Sequence, residues 1–170
     1  MEEKKNIIFV GLMGSGKTTI GKHISKALEM DFLDTDHAIE AKTGVNIATI
    51  FELEGEEGFR LREQNLLMDI IDQKKMVIAT GGGIVLREKN RQILQKLGRV
   101  VYLRSNLKDL ILRLKDDNTR PLIQNVDLAK KFNDLIKERE PLYMEIADFI
   151  INTNNKKINE IKKELLELLK

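Results

Sequence analysis

Gly11-Leu12-Met13-Gly14-Ser15-Gly16-Lys17-Thr18 matches the pattern G-x-x-x-x-G-K-[ST] at every required position. Each residue type has a chemical reason. Glycines let consecutive backbone N–H groups turn inward around a phosphate with no side chain in the way. The Lys17 ammonium can reach the outer phosphates of a nucleotide, and the Thr18 hydroxyl is a ligand suited to Mg²⁺. An apolar run at 7–10 precedes the loop and an amphipathic stretch follows it, so a positive helix end also faces the anion. That context separates the match from a chance glycine-rich turn. It assigns Gly14, Ser15, Gly16, Lys17, Thr18 and Thr19 to nucleotide binding.

Asp34-Thr35-Asp36 is a second constellation, just past a short apolar segment. Two uses compete there. One carboxylate can sit near a Mg²⁺ shell while the other takes a proton from an attacking hydroxyl. Alternatively the residues cap a helix, where aspartate and threonine are favoured. Beside a phosphate-binding loop the first use gains ground. Gly81-Gly82-Gly83 is the third constellation: three glycines are costly in backbone entropy and continue a strand poorly. Close approach of a ligand to the backbone is their simplest use, and a plain tight turn the alternative. Arg60, Arg113, Arg120 and Arg139 are side chains suited to clamping carboxylate or phosphate, although composition does not choose among them.

The nucleotide expected is ATP. A guanine-reading Asn-Lys-x-Asp motif is absent; the nearest run, Asn155-Lys156-Lys157-Ile158, lacks the aspartate. The chain has 170 residues, suiting one domain over 1–170, and a net charge of +2, too small to predict a nucleic-acid or membrane partner. It has no cysteine, which excludes disulfides, thiolate metal sites and a cysteine nucleophile. The charged start and short apolar run form neither a signal peptide nor a membrane span, so the expected location is cytoplasmic. His23 and His37 belong to no ligand cluster and receive no role.

The elements that must position these residues alternate. Apolar runs at 7–10, 76–79, 100–103 and 149–151, with a weaker one at 32–34, lack polar alternation, as expected of parallel strands covered on both faces. Helical patterns fall at 17–29, 56–71, 88–97, 107–114, 128–146 and about 156–169. In the last, Ile158, Ile161, Leu165 and Leu168 form a stripe expected to pack on the sheet. The fold class is therefore α/β, with right-handed crossovers and ligands beyond the carboxyl ends of the strands. The polar stretch 115–126, with one proline, reads as a mobile lid, and a short chain with a lid reads as a small kinase.

The motifs occur in a definite series. After the phosphate loop come Phe32-Leu33-Asp34-Thr35-Asp36, Phe51 through Gly58-Phe59-Arg60-x-x-Glu63, and Ala79-Thr80-Gly81-Gly82-Gly83. Arg120-Pro121-Leu122 and Arg139-Glu140-Pro141-Leu142-Tyr143 follow. From residue 8 to about residue 154 this series resembles the shikimate kinase family. The resemblance implies a three-layer P-loop kinase fold, with a five-stranded parallel sheet, a substrate-binding helical segment about 35–63 and a lid about 115–126. It implies ATP-dependent phosphorylation of the 3-hydroxyl of shikimate, giving shikimate 3-phosphate and ADP in aromatic amino-acid (chorismate) biosynthesis, by a monomer. Asp36 would hold the substrate hydroxyls and act as base, with Lys17 and Arg120 as the other catalytic residues. Asp34 would hold water around Mg²⁺, whose direct ligand is Thr18. Arg60 and Arg139 would grip the substrate carboxylate, with Gly81, Gly82 and Gly83 beside it. Arg120 would descend with the lid onto the phosphate, and Arg113 would lie near the adenine. The series departs from some relatives at Asn154-Asn155-Lys156-Lys157, where they carry a proline against the adenine.

The rival readings are another small-metabolite kinase of this fold, such as a gluconate kinase, and a non-catalytic nucleotide-binding relative. A carboxylate with two arginines favours a polyhydroxylated carboxylate acceptor, and retention of Lys17 and Asp36 speaks against a non-catalytic role.

Overall fold

A computed structural model of the chain describes residues 5–115 and 127–170. Five strands, β1 (Asn6–Val10), β2 (Asp31–Asp34), β3 (Met76–Ala79), β4 (Gly98–Arg104) and β5 (Phe149–Asn152), form one parallel sheet in the order β2-β3-β1-β4-β5. The described helices are α1 (Lys17–Leu28), α2 (Thr35–Thr43), α3 (Ile47–Asp69), α4 (Glu88–Leu97), α5 (Leu107–Lys115), α6 (Leu128–Ile146) and α7 (Ile158–Leu168).

Side chains of a strand alternate between faces, and here both faces are buried. Ile7 and Phe9 of β1 join Val101, Ile151, Ile20, Ile24 and Ile161 in a core under α1 and α7. Ile8 and Val10 point the other way, into a core with Leu67, Leu94, Leu110, Phe132 and Tyr143 from α3, α4, α5 and α6. The expected three layers and five parallel strands are therefore present. A smaller cluster, Ile39, Ile50, Phe59 and Leu66, holds α2 against α3.

Several boundaries differ from the sequence pattern. The helix expected at 56–71 begins at Ile47 and runs through Gly55, whose φ of 70° breaks the helical path. Its first turns are mostly exposed, so no long apolar stripe marks them. The stripe on α7 is half realised: Ile161 and Leu165 are buried, but Ile158 and Leu168 are 40% and 42% exposed. Lys115, the expected start of the lid, belongs to α5; the rest of that segment, with Arg120, lies outside the described residues. Among the described residues no helix is long and apolar enough to cross a membrane.

Asn6 closes the sheet at the end opposite the glycine loops. Its buried amide donates to the carbonyls of Gln73 (2.6 Å) and Leu97 (3.0 Å) and accepts from the N–H of Met76 (2.9 Å). Unpaired buried backbone groups are expensive. Replacement Asn6→Ala is therefore expected to lower stability by about 2–4 kcal/mol in denaturant unfolding. A loss within a few tenths of a kcal/mol would mean that water takes over all three partners.

Candidate active site

The chain leaves β1 into the phosphate loop. Gly14 and Gly16 adopt φ of 80° and 95°, a region that side chains disfavour. Gly16 is the N-cap of α1 and has no side chain to cap it, so the positive end of the helix faces the loop interior, a setting suited to an anion. The Lys17 ammonium donates to the carbonyls of Gly11 (2.7 Å) and Leu12 (2.9 Å), which hold it over the loop. Arg113, projecting from α5, donates to the Gly14 carbonyl at 3.0 Å. Beyond the loop lies a cavity of about 670 Å³ bounded by Ser15, Gly16, Thr19, Arg113, Lys156 and Lys157. It adjoins the loop and is rimmed by cations, which suits the remainder of a nucleotide.

Asp34, at the end of β2, divides its two oxygens between a helix cap and the phosphate loop. Oδ1 accepts from the N–H groups of Asp36 (3.1 Å) and His37 (3.2 Å), capping α2. Oδ2 accepts from the Thr18 hydroxyl at 2.7 Å. Two oxygen ligands of the type Mg²⁺ prefers thus meet at the mouth of the phosphate loop, and the donor set fits the ion.

A second cluster of charged groups forms around Gly81-Gly82-Gly83, which follows β3. The Gly81 N–H donates to the hydroxyl of buried Thr35 at 3.0 Å. A Cβ on Gly81 would lie 2.7 Å from Oδ1 of Asp36 and 3.2 Å from Oε1 of Glu63. One on Gly82 would lie 3.4 Å from Nη1 of Arg139, and one on Gly83 2.6 Å from Cζ of Arg60. At Gly81 and Gly83 the space a Cβ would need is occupied by the protein's own Asp36 and Arg60, while Arg139 stands at ordinary contact distance from Gly82.

The charges here are buried and interdependent. Burial raises the Asp36 carboxyl above the ordinary aspartate value, the neighbouring Asp34 charge adds to this, and Lys17 and Arg60 oppose it. Glu63, fully buried, receives both of its bonds to Arg60 from Nη1 (2.8 and 3.0 Å), while Nη2 lies 3.3 Å from Glu56. Burial outweighs the Arg60 partner and pushes the Glu63 carboxyl up to about 7. Three buried atoms keep unspent hydrogen-bonding capacity: Oδ1 of Asp36, Nε of Arg60 and Nε of Arg139. One acceptor and two guanidinium donors complement a ligand with both hydroxyls and a carboxylate.

A family profile described as shikimate kinase matches residues 13–170. The chain belongs to the shikimate kinase family. It is 49% identical over 154 residues to the shikimate kinase of Burkholderia thailandensis, covering 91% of this chain and 84% of that one. To the Pseudoalteromonas translucida shikimate kinase it is 43% identical, covering 99% of both chains. A solved structure described as shikimate kinase from Acinetobacter baumannii in complex with shikimate superposes with a TM-score of 0.91 at 43% identity. That match covers 98% of this chain and 93% of the other. A gluconokinase from Sinorhizobium meliloti 1021 shares only the fold, with a TM-score of 0.65 at 15% identity.

The structure gathers Gly14 to Thr18, Asp34, Asp36, Arg60, Gly81 to Gly83 and Arg139 at the carboxyl ends of β1, β2 and β3, with Arg113 above the loop. Thr19 is exposed on the cavity side. His23 and His37 are exposed as well. Sequence reasoning did not assign Thr35, Glu63 or Tyr143. The Arg60-x-x-Glu63 spacing was a signal for an ion pair on one helix face, but its burial was not visible in the spacing.

The raised Glu63 pKa has a consequence for stability. Between the ordinary value of 4.5 and about 7, the folded chain holds a proton that the unfolded chain has released, so raising pH favours unfolding. Wild-type stability is expected to fall relative to Glu63→Gln across this window and to level off above it. The slope is at most about 1.4 kcal/mol per pH unit. A difference independent of pH in denaturant titrations would show that Glu63 is ionised throughout.

Proposed function

We propose that the protein transfers the γ-phosphoryl group of ATP to the 3-hydroxyl of shikimate, yielding shikimate 3-phosphate and ADP for aromatic amino-acid biosynthesis. The observation that carries the reading is the acceptor pocket beside the phosphate loop. There Asp36, Arg60 and Arg139 converge on three glycines with one acceptor and two donor atoms unsatisfied. Family membership supplies the acceptor's identity.

Each side chain then has a task. The Asp36 carboxylate accepts the proton of the attacking hydroxyl, and its raised pKa makes it a stronger base than an exposed aspartate. Arg60 and Arg139 grip the carboxylate of the acceptor, with the backbone of Gly81, Gly82 and Gly83 alongside. Glu63 holds the Arg60 fork in place. The N–H groups of Gly14 to Thr18 bind the phosphates, and Thr19 lines the nucleotide cavity. Lys17 meets the transferring group by turning from the loop carbonyls to phosphate oxygens. Thr18 and, through water, Asp34 hold Mg²⁺, which when bound neutralises phosphate charge. Arg113 lies against the nucleoside. Arg120 completes the neutralisation from the lid of about 115–126. The protein is proposed to act as a cytoplasmic monomer of one domain, on small molecules rather than nucleic acid or membrane.

ADP release measured with Mg²⁺·ATP is expected to be stimulated by shikimate and not by gluconate or nucleoside monophosphates. Equal stimulation by gluconate, or none by shikimate with nucleotide still bound, would reject the acceptor. Replacement Asp36→Asn is expected to lower kcat about 10²–10⁴-fold in a folded variant. Near-normal turnover would remove Asp36 as the base.

A further inference from the structure

Arg139 and Tyr143 lie four residues apart on α6 and so share one face of the helix. Tyr143 is fully buried and its ring stacks on Tyr102, with centroids 5.0 Å apart and planes 30° from parallel. A phenylalanine would fill that space equally well, so packing does not account for the hydroxyl. The hydroxyl donates a short hydrogen bond to the carbonyl of Gly82, and the Arg139 guanidinium lies close enough to oppose the rise in the phenol's pKa. Burial pushes the phenol well above its ordinary value, which keeps it protonated and able to donate.

Gly82 lies within contact reach of two parts of the site. A Cβ there would lie 3.4 Å from Nη1 of Arg139 on one side, and 3.5 Å from both the Gly11 carbonyl oxygen and the Met13 nitrogen on the other. The phenol therefore stands where α6, the glycine turn and the phosphate loop meet. An arginine on an exposed helix would sample many rotamers; this one lies beside a phenol anchored to the same turn that its Nη1 approaches.

We propose that Tyr143 is a positioning residue for acceptor binding: its hydroxyl fixes the Arg139 guanidinium against the Gly82 backbone, in the orientation that receives the acceptor carboxylate. This rests on the reading of Arg139 as a carboxylate ligand. The phenol touches neither substrate nor reacting atoms, and its effect passes through Arg139.

The test is steady-state kinetics and calorimetry with shikimate on Tyr143→Phe, Arg139→Ala and the double variant. Tyr143→Phe is expected to raise the KM and Kd for shikimate about tenfold while the KM for ATP changes less than about twofold. On the Arg139→Ala background the same change is expected to add little, because the two groups act as one unit. If Arg139→Ala weakens shikimate binding and Tyr143→Phe does not, the positioning role is overturned and the carboxylate grip stands. An equal Tyr143→Phe effect with and without Arg139 also overturns it, since the hydroxyl then acts through the turn alone. If Arg139→Ala leaves shikimate binding unchanged, the grip itself fails and this inference falls with it. Should the phenylalanine variant not fold, side-chain NMR of arginine-labelled wild-type protein decides. Slow rotation of the Arg139 guanidinium supports the restraint, and free rotation overturns it.

Discussion

The parallel pairing of β1 with β3 sets the geometry on which the rest of the site depends. Phe9 is opposite Ala79, so the phosphate loop and the triple-glycine turn leave the sheet side by side. Thr80 reinforces the junction, donating from its N–H and its hydroxyl to the Phe9 carbonyl. A shift of one residue would turn every side chain of a strand to the other face and separate the two loops. Because both faces of the sheet are buried under helices, such a slip would also disorder two cores at once.

On that platform the acceptor side is built from charges placed where water is scarce. Asp36, Arg60, Glu63 and Arg139 come from three helices and meet over glycines, whose missing side chains let them approach the backbone. Taking such groups out of water is costly, and mutual pairing offsets only part of that cost. What the arrangement provides is orientation: hydrogen bonds and dipoles already aimed before the reactants arrive, in surroundings that weaken electrostatics less than water does. The two carboxylates differ in use. Glu63 is occupied by Arg60, whereas Asp36 keeps an oxygen without a partner.

The sheet and the acceptor pocket are separable in specificity. A gluconokinase shares this architecture at 15% identity, so the fold does not choose the acceptor. The side chains that converge on the triple glycine come from α2, α3 and α6, all outside the sheet. Gly55 breaks the regular path of α3, and residues from both sides of the break, Ile50, Phe59 and Leu66, pack with Ile39 of α2.

The sequence by itself determined the phosphate loop, the alternation of strands and helices and the order of the motifs, because these depend on local spacing. A glycine-rich run between an apolar strand and an amphipathic helix has few other uses, and four of the five strands were legible as unbroken apolar runs. At Asp34 the capping alternative is realised by one oxygen, while the other accepts from Thr18 of the phosphate loop, a contact distant in sequence. Only the tertiary structure decided what the triple glycine accommodates, because the side chains pressed on it come from positions 36, 60 and 139. The same holds for Glu63 and Tyr143. Their chemistry arises from burial and from partners distant in sequence, which no local pattern records.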